Sequence, residues 1–172
     1  MTTNDLCPAA AWTAAPLSVL HPDAENLLRR YYTELIIRYY GRPTDDEEVA
    51  AVLAEEPSDD LTRPTGEFLA AHLDGVPVGC VGVRVLDVLD ASSVELTRMY
   101  VAPEVRGRGL ADTLVGAAES VARDTFGARV IRLDTRADLV EARALYARHG
   151  YTEIDAYNDS PYADHWFEKT LG

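Results

Sequence analysis

The stretch Val94-Glu-Leu-Thr-Arg-Met-Tyr-Val-Ala-Pro-Glu-Val-Arg-Gly-Arg-Gly-Leu-Ala111 restricts what this chain can fold into more than any other part of it. Val94, Leu96, Met99, Tyr100 and Val101 have the apolar, β-branched and aromatic character of a strand, which Pro103 stops. Leu110, Leu114, Val115, Ala118, Val121 and Ala122 then recur at helical spacing. Between the two lie Arg106, Gly107, Arg108 and Gly109, so the run reads as strand, glycine-rich turn, helix. Glycine lets backbone wrap a ligand at φ values closed to other residues, and the first amides of a helix have no partner within it. Those amides lie at the positive end of the helix dipole, and Arg106 and Arg108 add forked cationic donors. The combination predicts a cradle for a phosphate or pyrophosphate. Along the strand, Val94 and Leu96 share one parity, Met99 and Val101 the other. Either the strand is buried on both faces, or a bulge near Thr97-Arg98 returns all four side chains to one face.

At 172 residues the chain is expected to form one domain, large enough to bury a core without covalent staples. Its net charge of −13 argues against nucleic acid as a partner. The exception to the acidic balance is residues 98–148, where nine arginines face seven acidic residues, and this is the region assigned to phosphate. The acidic remainder suits a cationic amine, or is a solvated surface. No apolar run approaches the ~18 residues of a membrane span, and the N-terminus lacks the basic-then-apolar order of a secretory signal. Cys7 and Cys80 have no metal-ligand spacing, and Cys80 sits in a strand pattern as a buried thiol. A cytoplasmic protein without metal or membrane partner is expected.

In chain order, residues 1–15 predict a flexible start and Leu17 to Leu20 a short strand. A helix capped by Asp23 carries the stripe Leu27, Leu28, Tyr31, Tyr32, Leu35, Ile36, Tyr39 and Tyr40, ended by Gly41 and Pro43. The tyrosines either pack in the core or, for Tyr31 and Tyr32, line an acceptor pocket. Thr44-Asp-Asp-Glu47 has the form of a capping box for a second helix to about Glu55, followed by a polar loop to Gly66. Phe68 to Leu73 and Val76 to Leu86 read as strands joined at Asp74-Gly75, a hairpin signal, with Gly79 and Gly82 marking a bulge or a close approach. Val88 to Ser93 turns into the central strand. Ala128 to Thr135 is the next strand, parallel to the one before the long helix. Asp138 caps a helix to His149, Gly150 stops it, and Tyr151 to Ala156 and His165 to Leu171 are the last strands.

Arg106-x-x-Gly109-x-Ala111, after a strand ending Met-Tyr-Val-x-Pro, resembles the acetyl-CoA signature of the GNAT superfamily of N-acyltransferases. Ala142-x-x-Leu-Tyr146-x-x-x-Gly150-Tyr151 is similar to the closing motif of the same family. The resemblance covers residues 66–171 and implies a mixed α/β (α+β) GNAT fold. Its central, mostly antiparallel sheet would splay at one parallel strand pair, with helices on both faces. It implies transfer of an acetyl group from acetyl-CoA to a primary amine of a small molecule or peptide, by direct attack in a ternary complex. Cofactor contacts would come from Met99, Tyr100 and Val101 along the pantetheine arm and from Arg106, Gly107, Arg108, Gly109, Leu110 and Ala111 at the phosphates. A homodimer is compatible with this reading.

Carried over, Tyr146 matches the tyrosine that protonates the CoA sulfur; without the motif it would read as part of a buried helical stripe. Glu95 is the candidate base, or else an exposed carboxylate or a partner to Arg98. Asp134 is the runner-up, and water alone is the third choice. Many members carry Asn where this chain has Leu139, which weakens the cofactor contact expected from that position. His165 reads as structural. Two other functions compete: a non-catalytic acyl-CoA-binding module, and dinucleotide binding through Gly107-x-Gly109. The latter lacks its third glycine, replaced by Asp112, and a second βαβ half.

Overall fold

The computed structural model describes residues 11–87 and 89–172. The strands are β1 (Ala14–Pro16), β2 (Gly66–Leu73), β3 (Val76–Asp87), β4 (Asp90–Val101), β5 (Val130–Thr135), β6 (Thr152–Ile154) and β7 (His165–Thr170). The helices are α1 (Pro22–Tyr40), α2 (Asp46–Glu55), α3 (Leu110–Asp124) and α4 (Val140–Arg148). The strands form one sheet in the order β1-β2-β3-β4-β5-β7-β6. Every neighbouring pair is antiparallel except β4 and β5, which α3 connects. This is the expected mixed sheet with one parallel pair.

The two faces can be told apart from the glycines of β3. A Cβ at Gly79 would lie 2.9 Å from Leu110 Cδ2, so α3 presses on that face; a Cβ at Gly82 would lie 2.7 Å from Leu61 Cδ1, on the opposite face. The second face also receives α1, whose Arg30 guanidinium sits 5.7 Å from the Tyr100 ring centroid. Both glycines thus mark close approaches, as expected. Leu27, Phe68, Val81, Val94, Leu114 and Ile131 are fully buried between sheet and helices. Each contributes roughly 1.5–3 kcal/mol relative to exposure. The hairpin between β2 and β3 turns on Asp74 and Gly75, both at positive φ (51° and 78°), as a two-residue turn matched to strand twist requires.

The central strand does bulge. Pairing between β3 and β4 passes from Cys80↔Tyr100 to Gly82↔Thr97, so Val81 alone faces both Arg98 and Met99. Arg98 takes up the extra residue at φ 54°. Leu96 pairs with Val83 and Val101 with Gly79, residues of one parity on β3, so Val94, Leu96, Met99 and Val101 all face α3. Glu95, Thr97, Arg98 and Tyr100 are left on the α1 face.

Several local expectations shift. The first strand is Ala14–Pro16 rather than Leu17 to Leu20, although Leu17 N still donates to Phe68 O at 2.9 Å. Of the segment expected to be flexible, residues 14 and 15 are therefore paired with β2; residues 1–10, with Cys7, lie outside the described residues, as does Val88. His21, not Asp23, caps α1, its Nδ1 accepting from Asp23 N at 3.0 Å; Asp23 lies within the first turn, its carboxylate 2.9 Å from His72 Nε2. Asp45, not Thr44, caps α2 and bonds Glu48 N at 2.9 Å, so the box is displaced by one residue. Asp138 does not cap α4; both its oxygens are held by Arg136. β4 begins at Asp90, four residues before Val94. Cys80 is a fully buried thiol that donates to Arg98 O at 3.3 Å, and burial pushes its pKa up. Among the described residues no helix is long and apolar enough to cross a membrane.

Candidate active site

Parallel pairing between β4 and β5 stops at Glu95↔Arg132. β5 runs on to Thr135 paired only with β7, while β4 runs on to Val101 paired only with β3. The sheet therefore opens into a wedge, and a cleft of about 1030 Å³ fills it. Ala102 N donates to Val78 O on β3, so by alternation Met99 and Val101 turn their backbone groups into the wedge. Tyr100 turns its own to β3, which separates it from its two neighbours among the arm contacts expected from sequence.

The glycine-rich turn closes one end of the cleft. Gly107 and Gly109 have φ of 74° and 83°, and Gly109 is the left-handed N-cap of α3. Backbone bonding resumes with Thr113 N to Gly109 O, so the N–H groups of residues 107–112 take no partner within the described protein. Free amides at a helix N-terminus are the donors an anion site uses. The arginines behave differently from expectation. Arg106 lines the cleft, yet its guanidinium bonds Glu34 at 2.5 Å and Val101 O at 2.9 Å. Arg108 lies outside the cleft lining, with its guanidinium 5.4 Å from the Trp12 ring centroid and its carbonyl accepting from Trp12 Nε1 at 2.8 Å. The free donors of this turn are therefore backbone groups, both arginine side chains being engaged elsewhere. Asp112, in the first turn of α3, is held by Arg148 at 3.1 Å and His149 at 2.8 Å, which keeps its pKa low.

Tyr146 projects from α4 into the cleft, 5% exposed. Burial, then the neighbouring Tyr31 and Asp134, raise its pKa, so the phenol is a protonated donor at neutral pH. Its ring packs edge-on against Tyr151 at 5.7 Å, and among the described residues its hydroxyl bonds no protein group. Tyr31 and Tyr32 line the opposite wall, 4.9 Å apart and edge to face; burial pushes Tyr31 up to about 12. Tyr39 and Tyr40 line the same cleft further out and are half exposed, so the tyrosine stripe of α1 serves the cleft as well as the core.

Glu95 is neither exposed nor bonded to Arg98. It is 3% exposed, with one oxygen 2.6 Å from Arg84 Nε and the other 2.9 Å from the Tyr157 hydroxyl, and it borders the cleft. Asp134 borders the cleft from β5 and accepts from Asn158 Nδ2 at 2.7 Å. His165 bonds Glu153 on the last hairpin, in keeping with a structural role. Sequence reading missed Tyr157 and Asn158, which lie in the connection between β6 and β7 where no spacing signal exists. It also missed the cleft-facing position of Arg98.

The Acetyltransferase (GNAT) family profile matches residues 23–151. YjgM of Escherichia coli K12, an uncharacterized N-acetyltransferase, is 35% identical over 94 residues, 55% of this chain. The match spans 56% of that protein, so it covers little more than half of the curated relative's length. Among solved structures, the PaiA N-acetyltransferase of Thermoplasma acidophilum in complex with coenzyme A superimposes with a TM-score of 0.67 at 20% identity, over 93% of this chain and 99% of that one. YncA of Salmonella typhimurium, solved with its cofactor acetyl-CoA, gives 0.62 at 18% identity over 95% of both chains. These likenesses establish the fold. The family match runs from the first turn of α1 through the wedge and the glycine-rich turn to Tyr151, and by it the chain belongs to the Acetyltransferase (GNAT) family.

Proposed function

We propose that the protein is an acetyl-CoA-dependent N-acetyltransferase acting on a primary amine of a small molecule or peptide. The observation that carries this reading is the meeting of three features in one cleft: unpartnered N–H groups at residues 107–112, the open backbone edge of Met99 and Val101, and the Tyr146 hydroxyl. The complexes of PaiA with coenzyme A and of YncA with acetyl-CoA support the same cofactor for this chain.

The residues fit such a cofactor. The turn offers donors for its phosphates, with Arg106 beside them. The edge of β4 offers a donor and an acceptor at Met99 and a donor at Val101, whose carbonyl already accepts from Arg106 Nε, for its amide-rich arm. Gly109, Leu110 and Ala111 present backbone at the start of α3, and no side chain crowds Gly107 or Gly109. Acetyl-CoA supplies the activated thioester when bound. Tyr146 gives its phenolic proton to the departing sulfur. Glu95 receives the proton the amine loses on attack, through water, with Arg84 and Tyr157 fixing the carboxylate in place. Asp134 is the second candidate. Tyr31 and Tyr32 form the wall against which the acceptor packs. A buried thiol at Cys80 accords with a cytoplasmic setting.

The test is thiol release from acetyl-CoA over a panel of primary amines, with Tyr146→Phe beside the unchanged protein. The expected outcome is amine-dependent turnover that falls about 100-fold in the variant while CoA binding persists, in line with loss of a general acid. Turnover unchanged in Tyr146→Phe removes that residue from the role. Acetyl-CoA binding with no transfer to any amine refutes the enzyme reading.

A further inference from the structure

Among the described residues three charged side chains are buried: Glu95, Arg98 and Arg136. Glu95 is paired with Arg84 and Arg136 with Asp138. Arg98 has no carboxylate within ion-pair distance among the described residues. Its Nε reaches Ser58 Oγ at 3.3 Å, Nη1 reaches Thr97 Oγ1 at 3.1 Å and Nη2 reaches Glu56 O at 3.4 Å, all neutral acceptors. The guanidinium lies 5.4 Å from the Tyr32 ring centroid, a weak substitute for a counterion. Three of its five N–H groups are used and two remain. A cation 7% exposed and without a carboxylate partner has given up much of its hydration for neutral acceptors alone.

The backbone also bears a cost to hold it there. Arg98 is the bulge residue, at φ 54°, in the left-handed region that residues with a side chain rarely adopt. The bulge turns Arg98 onto the same face as Glu95 and Thr97, and that face borders the cleft. Arg98 and Glu95 thus line the same cleft from one face of β4, Glu95 held by Arg84 and Tyr157 and Arg98 lying against the Tyr32 ring of α1. Glu55 and Glu56 also border the cleft, but neither carboxylate pairs with Arg98.

We propose that the acceptor amine carries a carboxylate of its own, as a free amino acid does, and that Arg98 binds it. The two spare N–H groups of Arg98 supply the forked contact that a carboxylate accepts, and the ammonium group of the same molecule faces Glu95. This rests on the acetyltransferase reading and narrows its substrate class. Arg98 is then the residue that selects acids over neutral amines.

The experiment is calorimetric titration, in the presence of CoA, of L-phenylalanine, L-methionine, L-glutamate and L-lysine, each against its own α-carboxamide. The expected result is that at least one acid binds tenfold or more tightly than its amide. Arg98→Met abolishes that preference and Arg98→Lys, which keeps the charge, restores part of it. Thermal melts of both variants check folding, and Arg98→Lys serves if Arg98→Met does not fold. Equal affinity for acid and amide in every pair, a preference that survives in Arg98→Met, or no binding of any acid overturns the proposal. Thiol release with the matching decarboxylated amines separates the two claims. Transfer to those amines without preference for acids sinks the carboxylate site and leaves the acetyltransferase. Selective acid binding without transfer to any amine does the reverse.

Discussion

Replacing Gly109 by alanine separates what the glycine-rich turn does for folding from what it does for binding. Gly109 has φ 83°, and a Cβ built there meets nothing within 4 Å. The folding cost is therefore conformational alone, about 1–2 kcal/mol for an alanine in the left-handed region. For a chain of this size each kcal/mol moves Tm by about 2–4 °C, so a fall of roughly 2–8 °C is expected. On the proposed reading a phosphate comes within hydrogen-bond reach of the Gly109 backbone, where a side chain competes with it for space. A methyl group there should raise the Kd for CoA at least tenfold, about 1.4 kcal/mol. Gly109→Glu should do more, since it adds a like charge. Gly127 is the internal control: it has φ 65°, nothing within 4 Å, and lies just beyond the other end of α3. Gly127→Ala should lower Tm by a similar amount and leave CoA affinity unchanged. Melts and titrations on the same samples give both quantities. The reasoning is refuted if Gly109→Ala melts as expected yet binds CoA within twofold of the unchanged protein, or if Gly127→Ala loses as much affinity.

Glu95→Gln should cost about 2 kcal/mol, below the range for a wholly buried pair because Arg84 keeps Asp60 and some water. It should also lower kcat about 100-fold with CoA affinity kept; a kcat within twofold of the unchanged protein moves the base to Asp134. Gly66→Ala should destabilise by about 3 kcal/mol, because its Cβ would sit 2.3 Å from Asp60 O and 2.7 Å from Val83 O, backbone atoms that cannot step aside. A melt within 2 °C of the unchanged protein would contradict that packing. Asp112 has a depressed pKa in the folded state, from Arg148 and then His149. Its stabilisation is present above the unfolded carboxylate pKa of ~3.9 and disappears as pH falls through the lower folded value. Asp112→Asn should thus lower Tm near pH 7 and weaken its decline below pH 4; an equally steep decline would assign the acid sensitivity to other carboxylates.

The parts of this protein readable from sequence are those whose causes are local. Gly107 and Gly109 imply left-handed backbone, and the apolar period from Leu110 implies a helix whose first amides are free; both hold whatever else the chain does. The Asp74-Gly75 turn and the strand–helix–strand order around α3 are of the same kind, since each depends on residues within one or two elements. The parity of Val94, Leu96, Met99 and Val101 told only that one of two arrangements must hold.

Which arrangement holds depends on pairing with β3, where Val81 faces two residues of β4, and no local signal in β4 states that. The same limit applies to every side-chain partner set by distant chain. Arg108 is drawn from the cradle by Trp12, 96 positions away, and Glu95 is fixed by Tyr157, 62 positions away. Arg98 is left without a counterion because the residues folded onto it, Glu56 and Ser58, offer only a carbonyl and a hydroxyl. Short-range conformational preference is a property of the sequence itself. Charge compensation and the width of the cleft are sums over groups that only the tertiary fold brings within a few ångströms of one another.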